Sequence, residues 1–381
     1  MLKRNVYGED HELYRSTVRR FLEKEAVPYH DAWEEDGITP KDFWLKAGAQ
    51  GLLCPQIPEA YGGPGGDYKY LAIVNEEAGL LGISAANFQV HSDIAAAYVL
   101  HFGTEPVKQR LLPKMVAGEA IGAIVMTEPN TGSDLQAVRT TAVRDGDHYV
   151  LNGAKTFISN GINADVLITV AKTDPAQGSR GISLFIVEGG MAGFERGKRL
   201  KKLGMKGQDT AELFFNDVRV PAENLLGEEN KGFAYLMEEL PQERLAIAII
   251  AVAASQRAFD LTIAYTRERK AFKQRILDFQ NTRFKLAEIK AELAAAWAYL
   301  DQCIVAHAAG ELEVHDAAAL KLWTTELQGR VMDECLQLFG GYGYMSEYPI
   351  SRMYADARIQ RIYGGTSEIM KEIIARSIDK Q

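Results

Sequence analysis

Apolar residues recur at helical spacing over the first third of the chain. Residues 9–26 carry them three or four positions apart, and Pro28 follows as a stop. Similar spacing is found in three further segments, residues 70–81, 93–102 and 106–117. The pattern predicts an N-terminal helical domain over residues 1–122.

The pattern then changes to short apolar runs separated by turn residues. These strand-length runs lie at residues 142–144, 149–151, 166–171, 182–187, 211–215 and 218–220. Asp145-Gly146-Asp147 stands between the first two runs and is a hairpin signal. We therefore predict an all-β middle domain, a sandwich or a barrel, over residues 123–231.

Long helical patterns return in the last part of the chain. They cover residues 245–267, 284–309 and 317–338, are rich in Ala, Leu, Glu and Lys, and contain no internal proline. These segments predict a C-terminal four-helix bundle over residues 232–381. The whole chain is thus predicted to be an α+β multidomain protein with an N-terminal α-helical domain, a middle β-barrel or sandwich domain and a C-terminal helical bundle.

Composition excludes some classes of protein. The net charge of -8 argues against a protein that binds nucleic acid by neutralising phosphates over a broad surface. Hydrophobic residues make up 47% of the chain, and the longest apolar run, residues 245–254, is too short to span a bilayer. We expect a soluble protein without membrane insertion or nucleic-acid binding.

The cysteines and histidines give no sign of a disulfide framework or a metal site. Cys54, Cys303 and Cys335 are odd in number and lie in apolar helical patterns, as reduced core cysteines do. The seven histidines show no metal-ligand spacing. With no targeting segment recognisable, the expected location is the cytoplasm of a bacterial-type cell, or the mitochondrial matrix if a leader has been removed.

Two loops carry residues suited to a bound cofactor. Residues 127–134 place hydroxyls, a glycine and carboxylates directly after the apolar run 121–126, and residues 157–161 place an aromatic and a hydroxyl after another strand-like segment. These loops could form opposite walls of one site. A basic run over residues 196–206 could meet phosphates, or it could be a solvated face.

Six motifs, in order along nearly the whole chain, resemble those of the acyl-CoA dehydrogenase family. They lie at residues 126–134, 157–161, 203–210, 269–272 with Gln280, 337–343 and 363–368. The resemblance implies an FAD enzyme that oxidises an acyl-CoA thioester to its trans-2-enoyl-CoA, in fatty-acid or branched-chain acyl catabolism. It also implies a homotetramer, a dimer of dimers that share FAD, and an electron-transfer flavoprotein as the electron acceptor.

The resemblance also implies where the catalytic base lies. The reaction needs a carboxylate to remove the α-proton while the β-hydrogen leaves as hydride to flavin N5. Many relatives have that Glu where this chain has Gly364, whereas the long-chain and isovaleryl-type members place it on an earlier helix, at the position of Glu243.

Glu243 also lies between Pro241 and an apolar run, so burial is expected to raise its pKa. The alternative is a first-turn helix carboxylate favoured by the helix dipole and paired with Arg244. Arg244 in turn either orders the site and faces the acyl-CoA or forms a structural ion pair. The Gly364 N–H resembles the family's donor to the thioester carbonyl, aided by a ribityl hydroxyl of the flavin.

The remaining motif residues resemble the family's cofactor contacts. Met126, Thr127 and Ser133 resemble flavin and thioester contacts. Ser159 resembles the residue that hydrogen-bonds flavin N5 and Phe157 the aromatic that packs on the ring face, and the resemblance also implies a cofactor contact at Ile158. Five further residues resemble those that hold the FAD pyrophosphate and adenosine across a subunit boundary in the family: Arg269, Gln280, Gln337, Gly340 and Gly341. Thr366 and Glu368 resemble further contacts to the same cofactor. Lys273 departs from the family pattern, since glycine is common there.

Two other functions use the same fold. An acyl-CoA oxidase or flavin monooxygenase would keep the flavin loops and react with oxygen. A non-catalytic flavoprotein with an added DNA-binding domain would lack the base, and the presence of Glu243 and the negative net charge oppose it.

Overall fold

The N-terminal part of the protein is helical. The structure, a computed structural model, describes residues 3–378. Its N-terminal helices are α1 Glu9–Glu25, α2 His30–Asp36, α3 Lys41–Ala49, α4 Tyr68–Leu81, α5 Ala96–Phe102 and α6 Glu105–Val116. The predicted helix over residues 93–102 begins as a π-helix, Gln89–Ala95, which continues directly into α5. Such wide turns occur frequently at functional sites.

The middle part is one eight-stranded sheet. Its strands are β1 Gly122–Val125, β2 Thr141–Asp145, β3 His148–Ser159, β4 Val166–Lys172, β5 Ile182–Glu188, β6 Phe194–Arg199, β7 Thr210–Pro221 and β8 Leu225–Leu226. They are ordered β6-β7-β3-β2-β4-β5-β8, and β1 pairs in parallel with β4. The β2–β3 hairpin turns at Gly146, whose φ of 64° is left-handed, so the hairpin signal is confirmed.

One sequence prediction about this sheet was wrong in detail. The runs 211–215 and 218–220 belong to the single strand β7. The basic run over residues 196–206 overlaps the end of β6, and some of its cations bind within the protein: Arg196 donates to the Ala164 and Gly189 carbonyls, and Lys202 to the Gln208 carbonyl. Lys198, Lys201 and Lys206 remain exposed.

The C-terminal part returns to helices. They are α7 Gly232–Glu268, α8 Gln280–Ala308, α9 Val314–Phe339, α10 Pro349–Ala357 and α11 Ser367–Ile378. Between α7 and α8 lies a short hairpin of β9 Lys270–Ala271 and β10 Gln274–Arg275. The helical, sheet, helical order predicted from the sequence is confirmed.

The start of α7 corrects the prediction that its helical pattern begins at residue 245 and has no internal proline. α7 begins at Gly232 and contains Pro241, which is buried. Proline in a helix interior removes a hydrogen bond and costs about 3 kcal/mol, so a sequence reading places a boundary there. Packing on both sides of Pro241, with Leu236 and Leu245 both buried, overrides that local preference.

Among residues 3–378, α7 is the one helix that is long and apolar enough to cross a membrane by length and composition. Of its most apolar window, 67% is buried inside the protein. Core helices of soluble proteins have the same composition.

The N-terminal helices pack against both other parts. One hydrophobic cluster joins them to Val166 and Ile168 of β4, and another joins Leu71 of α4 to Leu245 and Ile249 of α7. The segment that contains the π-helix and α5 therefore lies where the sheet and the C-terminal helices meet.

Candidate active site

Glu243 lies in the interior of α7, facing α5. Its side chain is buried, and the Tyr98 hydroxyl donates to its Oε1 at 3.2 Å. The alternative of a first-turn carboxylate was wrong, because α7 begins eleven residues earlier, at Gly232 (243 minus 232). The helix dipole acts within the first turn and does not explain this position.

Burial raises the pKa of Glu243 to about 7. The hydrogen bond from Tyr98 opposes that shift, the negative charge of Glu239 adds to it, and the positive charge of Arg244 opposes it. A carboxyl group with a pKa near neutrality is a stronger base than an ordinary glutamate and is still ionised in part at pH 7.

A glycine turn lies against the same face of α7. Gly364 has φ of 62° and Gly365 has φ of 96°. A Cβ at Gly364 would lie 2.4 Å from Cδ1 of Ile247, which is one helical turn after Glu243. Close approach and a left-handed backbone therefore both require glycine at position 364.

Two buried cations hold this turn. The Arg244 Nε donates to the Gly364 carbonyl at 3.4 Å, and the Lys321 Nζ donates to the Gly365 carbonyl at 2.6 Å. Burial lowers the pKa of Arg244 and lowers that of Lys321 to about 8, the second aided by the charge of Arg244. Within residues 3–378 the Gly364 N–H has no hydrogen-bond acceptor.

Lys321 was missed by the sequence reasoning. It is a single lysine in a helical segment rich in alanine and leucine, where a cation is normally exposed. Its signal was its position at helical spacing among Ala317, Leu320 and Thr324, all of which are buried.

The two predicted cofactor loops lie side by side. The Thr156 N–H donates to the Thr127 carbonyl at 2.9 Å, and the buried Lys155 Nζ donates to the Met126 carbonyl at 2.9 Å. Lys155 also pairs with Glu128 at 2.9 Å. Glu128 accepts from the Arg139 and Thr140 N–H groups as well, so this carboxylate shapes the loop.

The end of β3 presents an aromatic side chain to the outside. Phe157 is 67% exposed and has φ of 59°, a conformation that costs energy for a bulky residue. Ile158 is buried, so only its backbone can face a cofactor, whereas Ser159 is half-buried. An exposed aromatic in a strained backbone beside hydroxyls and loop N–H groups fits a flavin ring.

The residues predicted to hold pyrophosphate and adenosine form a separate group at the far ends of the long helices. Arg269 directly follows α7, Gln280 begins α8, Gln337 lies in the last turn of α9, and Gly340 and Gly341 directly follow α9; all five are exposed. The Arg269 guanidinium lies over the Tyr342 ring, 5.6 Å from its centroid. In the described part of the chain, no hydrogen bond or ion pair joins this group to the two flavin loops.

The remaining predicted positions lie near chain turns. Ser133 is exposed in the loop that follows β1, Thr366 accepts a hydrogen bond from the Ile369 N–H, and Glu368 is exposed in the first turn of α11. Lys273, where the family resemblance leads us to expect glycine, has φ of 65°, so this lysine adopts the left-handed backbone that glycine favours and adds a positive charge to the turn.

Fold and site together define a class: a three-part helical, sheet and helical enzyme whose candidate base is a buried carboxylate facing a glycine turn. Three family models match consecutive parts of the chain. They are the N-terminal, middle and C-terminal domains of acyl-CoA dehydrogenase, at residues 8–119, 123–218 and 230–378. The chain therefore belongs to the acyl-CoA dehydrogenase family, and the predicted enzyme class is confirmed.

Similar proteins agree over nearly the full length. The long-chain specific acyl-CoA dehydrogenase of Sus scrofa is 50% identical over 98% of this chain and 88% of its own. The isovaleryl-CoA dehydrogenase of Pongo abelii is 39% identical over 98% of this chain and 90% of its own. The crystal structure of an acyl-CoA dehydrogenase from Geobacillus kaustophilus superposes with a TM-score of 0.97 at 49% identity, covering 99% of this chain and 100% of that one.

Two similar solved structures are described as a flavin complex or a flavoprotein. One is a glutaryl-CoA dehydrogenase of Mycobacterium smegmatis in complex with FADH2, with a TM-score of 0.92, 28% identity and coverage of 99% and 96%. The other is described as the electron transferring flavoprotein of Acidaminococcus fermentans, with a TM-score of 0.95, 34% identity and coverage of 98% and 99%.

Proposed function

We propose that this protein is an FAD-dependent acyl-CoA dehydrogenase that converts saturated acyl-CoA to trans-2-enoyl-CoA, with Glu243 as the base. The observation that carries the proposal is the buried Glu243 carboxylate, whose pKa is raised to about 7, on the face of α7 that packs against the Gly364 turn. Position 364 is a glycine and carries no carboxylate, so the base proposed here is Glu243.

Glu243 removes the proton α to the thioester carbonyl. Among residues 3–378 its one hydrogen-bond donor is Tyr98, which fixes one oxygen and leaves the other to accept the proton. Because burial disfavours the carboxylate, proton transfer from a weakly acidic carbon is easier than it would be to an exposed glutamate.

The Gly364 N–H binds the thioester carbonyl and stabilises the negative charge that develops as the α-proton leaves. A preorganised donor of this kind typically contributes about 10²–10³-fold in rate. Arg244 and Lys321 act through the backbone: they hold the carbonyls of Gly364 and Gly365 and so fix the turn that carries the donor. Both are positioning residues.

FAD supplies the acceptor for the β-hydrogen. Met126, Thr127, Ser133, Phe157 and the backbone of Ile158 with Ser159 would wall its ring, and the exposed aromatic of Phe157 supports that assignment. Arg269, Gln280, Gln337, Gly340, Gly341, Thr366 and Glu368 would hold the rest of the cofactor. The separation of these two groups within one chain favours sharing of FAD between protomers, and hence the homotetramer that the resemblance implies.

An electron-transfer flavoprotein is proposed as the partner that takes the electrons. A fold neighbour described by that name supports it. Identity of 50% to a long-chain specific relative favours long acyl chains among the saturated substrates.

The test of this function is anaerobic bleaching of the purified flavoprotein by a panel of straight and branched saturated acyl-CoAs between pH 5 and 9. Because the base works deprotonated, the bleaching rate should rise with pH through about 7, the pKa of Glu243, and fall tenfold per unit well below it. Fast oxygen uptake in place of electron transfer to the flavoprotein partner would favour an acyl-CoA oxidase. A rate independent of pH would contradict Glu243 as the base.

Arg269→Ala is expected to weaken FAD binding by about 10–100-fold, since a charge-assisted hydrogen bond contributes about 1.5–3 kcal/mol. The measurement is flavin fluorescence during titration of the apoprotein. Arg267→Ala, in the last turn of the same helix and also exposed, is the matched control and should bind FAD as the unmodified protein does. Equal affinity of the two variants would remove Arg269 from the cofactor site.

A further inference from the structure

A second carboxylate with its own partner, Glu239 with His101, lies one helical turn from Glu243. Glu239 precedes Glu243 by four residues on α7, and His101 follows Tyr98 by three residues on α5. Tyr98 donates to Glu243, and the His101 Nδ1 lies 2.5 Å from Glu239 Oε1. Two carboxylates on one helix face are thus met by two partners on the facing helix.

The members of this arrangement differ in their access to water. Glu239 is 5% exposed and Glu243 is 6% exposed, whereas the His101 side chain is 47% exposed. His101 can therefore exchange protons with solvent while the two carboxylates are shielded. The charge of Glu239 is one of the causes that raise the pKa of Glu243, and little water screens the two carboxylates from each other.

The surrounding charges act on His101 from three helices. The hydrogen bond to Glu239 raises the pKa of His101, the charges of Glu239 and Glu238 add to that, and burial and Lys108 of α6 oppose it. From α8, His307 lies close enough that its own pKa is lowered by burial and, less, by His101. Around Glu243 the charged or titratable neighbours are Tyr98, Glu239 and Arg244.

A purely structural role does not account for this pair. A contact that only holds α5 against α7 needs no charge. A buried carboxylate costs desolvation free energy that an apolar contact avoids. The pair also sits beside the candidate base and not at a distant point of the α5–α7 contact.

We infer that His101 and Glu239 form a positioning pair that sets the basicity of Glu243 and links it to solvent pH. The inference rests on the proposed role of Glu243. With His101 protonated, its charge cancels that of Glu239 and Glu243 holds its proton less tightly. With His101 neutral, the Glu239 charge acts in full and Glu243 becomes the stronger base.

The two partners therefore have opposite expected effects. Glu239→Gln removes a negative charge beside Glu243 and should lower its apparent pKa by about one unit; His101→Gln keeps a hydrogen-bond donor, leaves Glu239 uncompensated and should raise it by about half a unit. In the double variant there is no Glu239 charge left for a side chain at position 101 to cancel, so Glu243 should titrate as it does in Glu239→Gln. Asp260→Asn, exposed further along the same helix, is the matched control and should shift little.

The measurement is the pH dependence of anaerobic bleaching, together with isotope-edited infrared titration of the Glu243 carboxyl in ¹³C-glutamate-labelled holoprotein, with Glu243→Gln assigning the band. Opposite shifts support the pair. An unchanged Glu243 titration in Glu239→Gln, or the same direction of shift in both single variants, would overturn the inference. Variants that lower only the urea midpoint of unfolding and leave the titration unchanged would overturn it too. Full bleaching by Glu243→Gln would instead remove the proposed function, whatever the infrared titration shows.

Discussion

Glu243→Gln is expected to slow anaerobic bleaching by a saturated acyl-CoA by about 10²–10⁴-fold, the usual contribution of a general base. Glutamine has nearly the same size as glutamate and can still accept the hydrogen bond from Tyr98, but it cannot take a proton. The rate of flavin reduction in a stopped-flow experiment measures the effect directly.

The flavin content of this variant separates chemistry from folding. Glu243 is buried with a raised pKa, so its neutral amide should cost no stability and the protein should remain yellow. Asp260→Asn, exposed further along the same helix, should bleach at the unmodified rate. Bleaching of Glu243→Gln at an undiminished rate would show that the base lies elsewhere.

The order of helical, sheet and helical parts could be predicted because each uses a different spacing of apolar residues. Helical spacing over residues 9–26 became α1, and the Asp-Gly turn became the β2–β3 hairpin. The start of α7 could not be predicted, because Pro241 locally signals a boundary and only packing within the whole protein overrides it. That error also produced the first-turn alternative for Glu243.

The candidate site was accessible to sequence reasoning only in part. Glu243 and Gly364 were found because motif residues carry them, whereas Tyr98 and Lys321 were not. Tyr98 reaches Glu243 across 145 residues of sequence, and Lys321 reaches Gly365 across 44. Periodicity assigns such residues to a helix but does not show which distant group they meet. The partners of a buried polar side chain therefore come from the fold.

Gly364→Ala is expected to lower kcat/KM for acyl-CoA oxidation by about 10²-fold, because displacing one oxyanion donor typically costs 10²–10³. The new methyl group would lie 2.4 Å from Cδ1 of Ile247, so the turn must move away from α7 and take its N–H with it. The left-handed φ of 62° adds about 1–2 kcal/mol of backbone strain. Steady-state kinetics and thermal unfolding of the FAD-loaded protein measure the two effects.

Two further variants separate steric displacement from backbone strain. Gly310→Ala has a similar φ of 73° with no atom within 4 Å, so it should lose comparable stability and keep full activity. Ile247→Val removes the clashing Cδ1, since the next atom of that side chain lies 3.9 Å away, and the double variant with Gly364→Ala should regain most of the lost kcat/KM. If the double variant stays as slow as Gly364→Ala, the contact with Ile247 does not set the position of the Gly364 N–H. Recovery would instead show that α7 holds both the base and, through Ile247, the donor it works with.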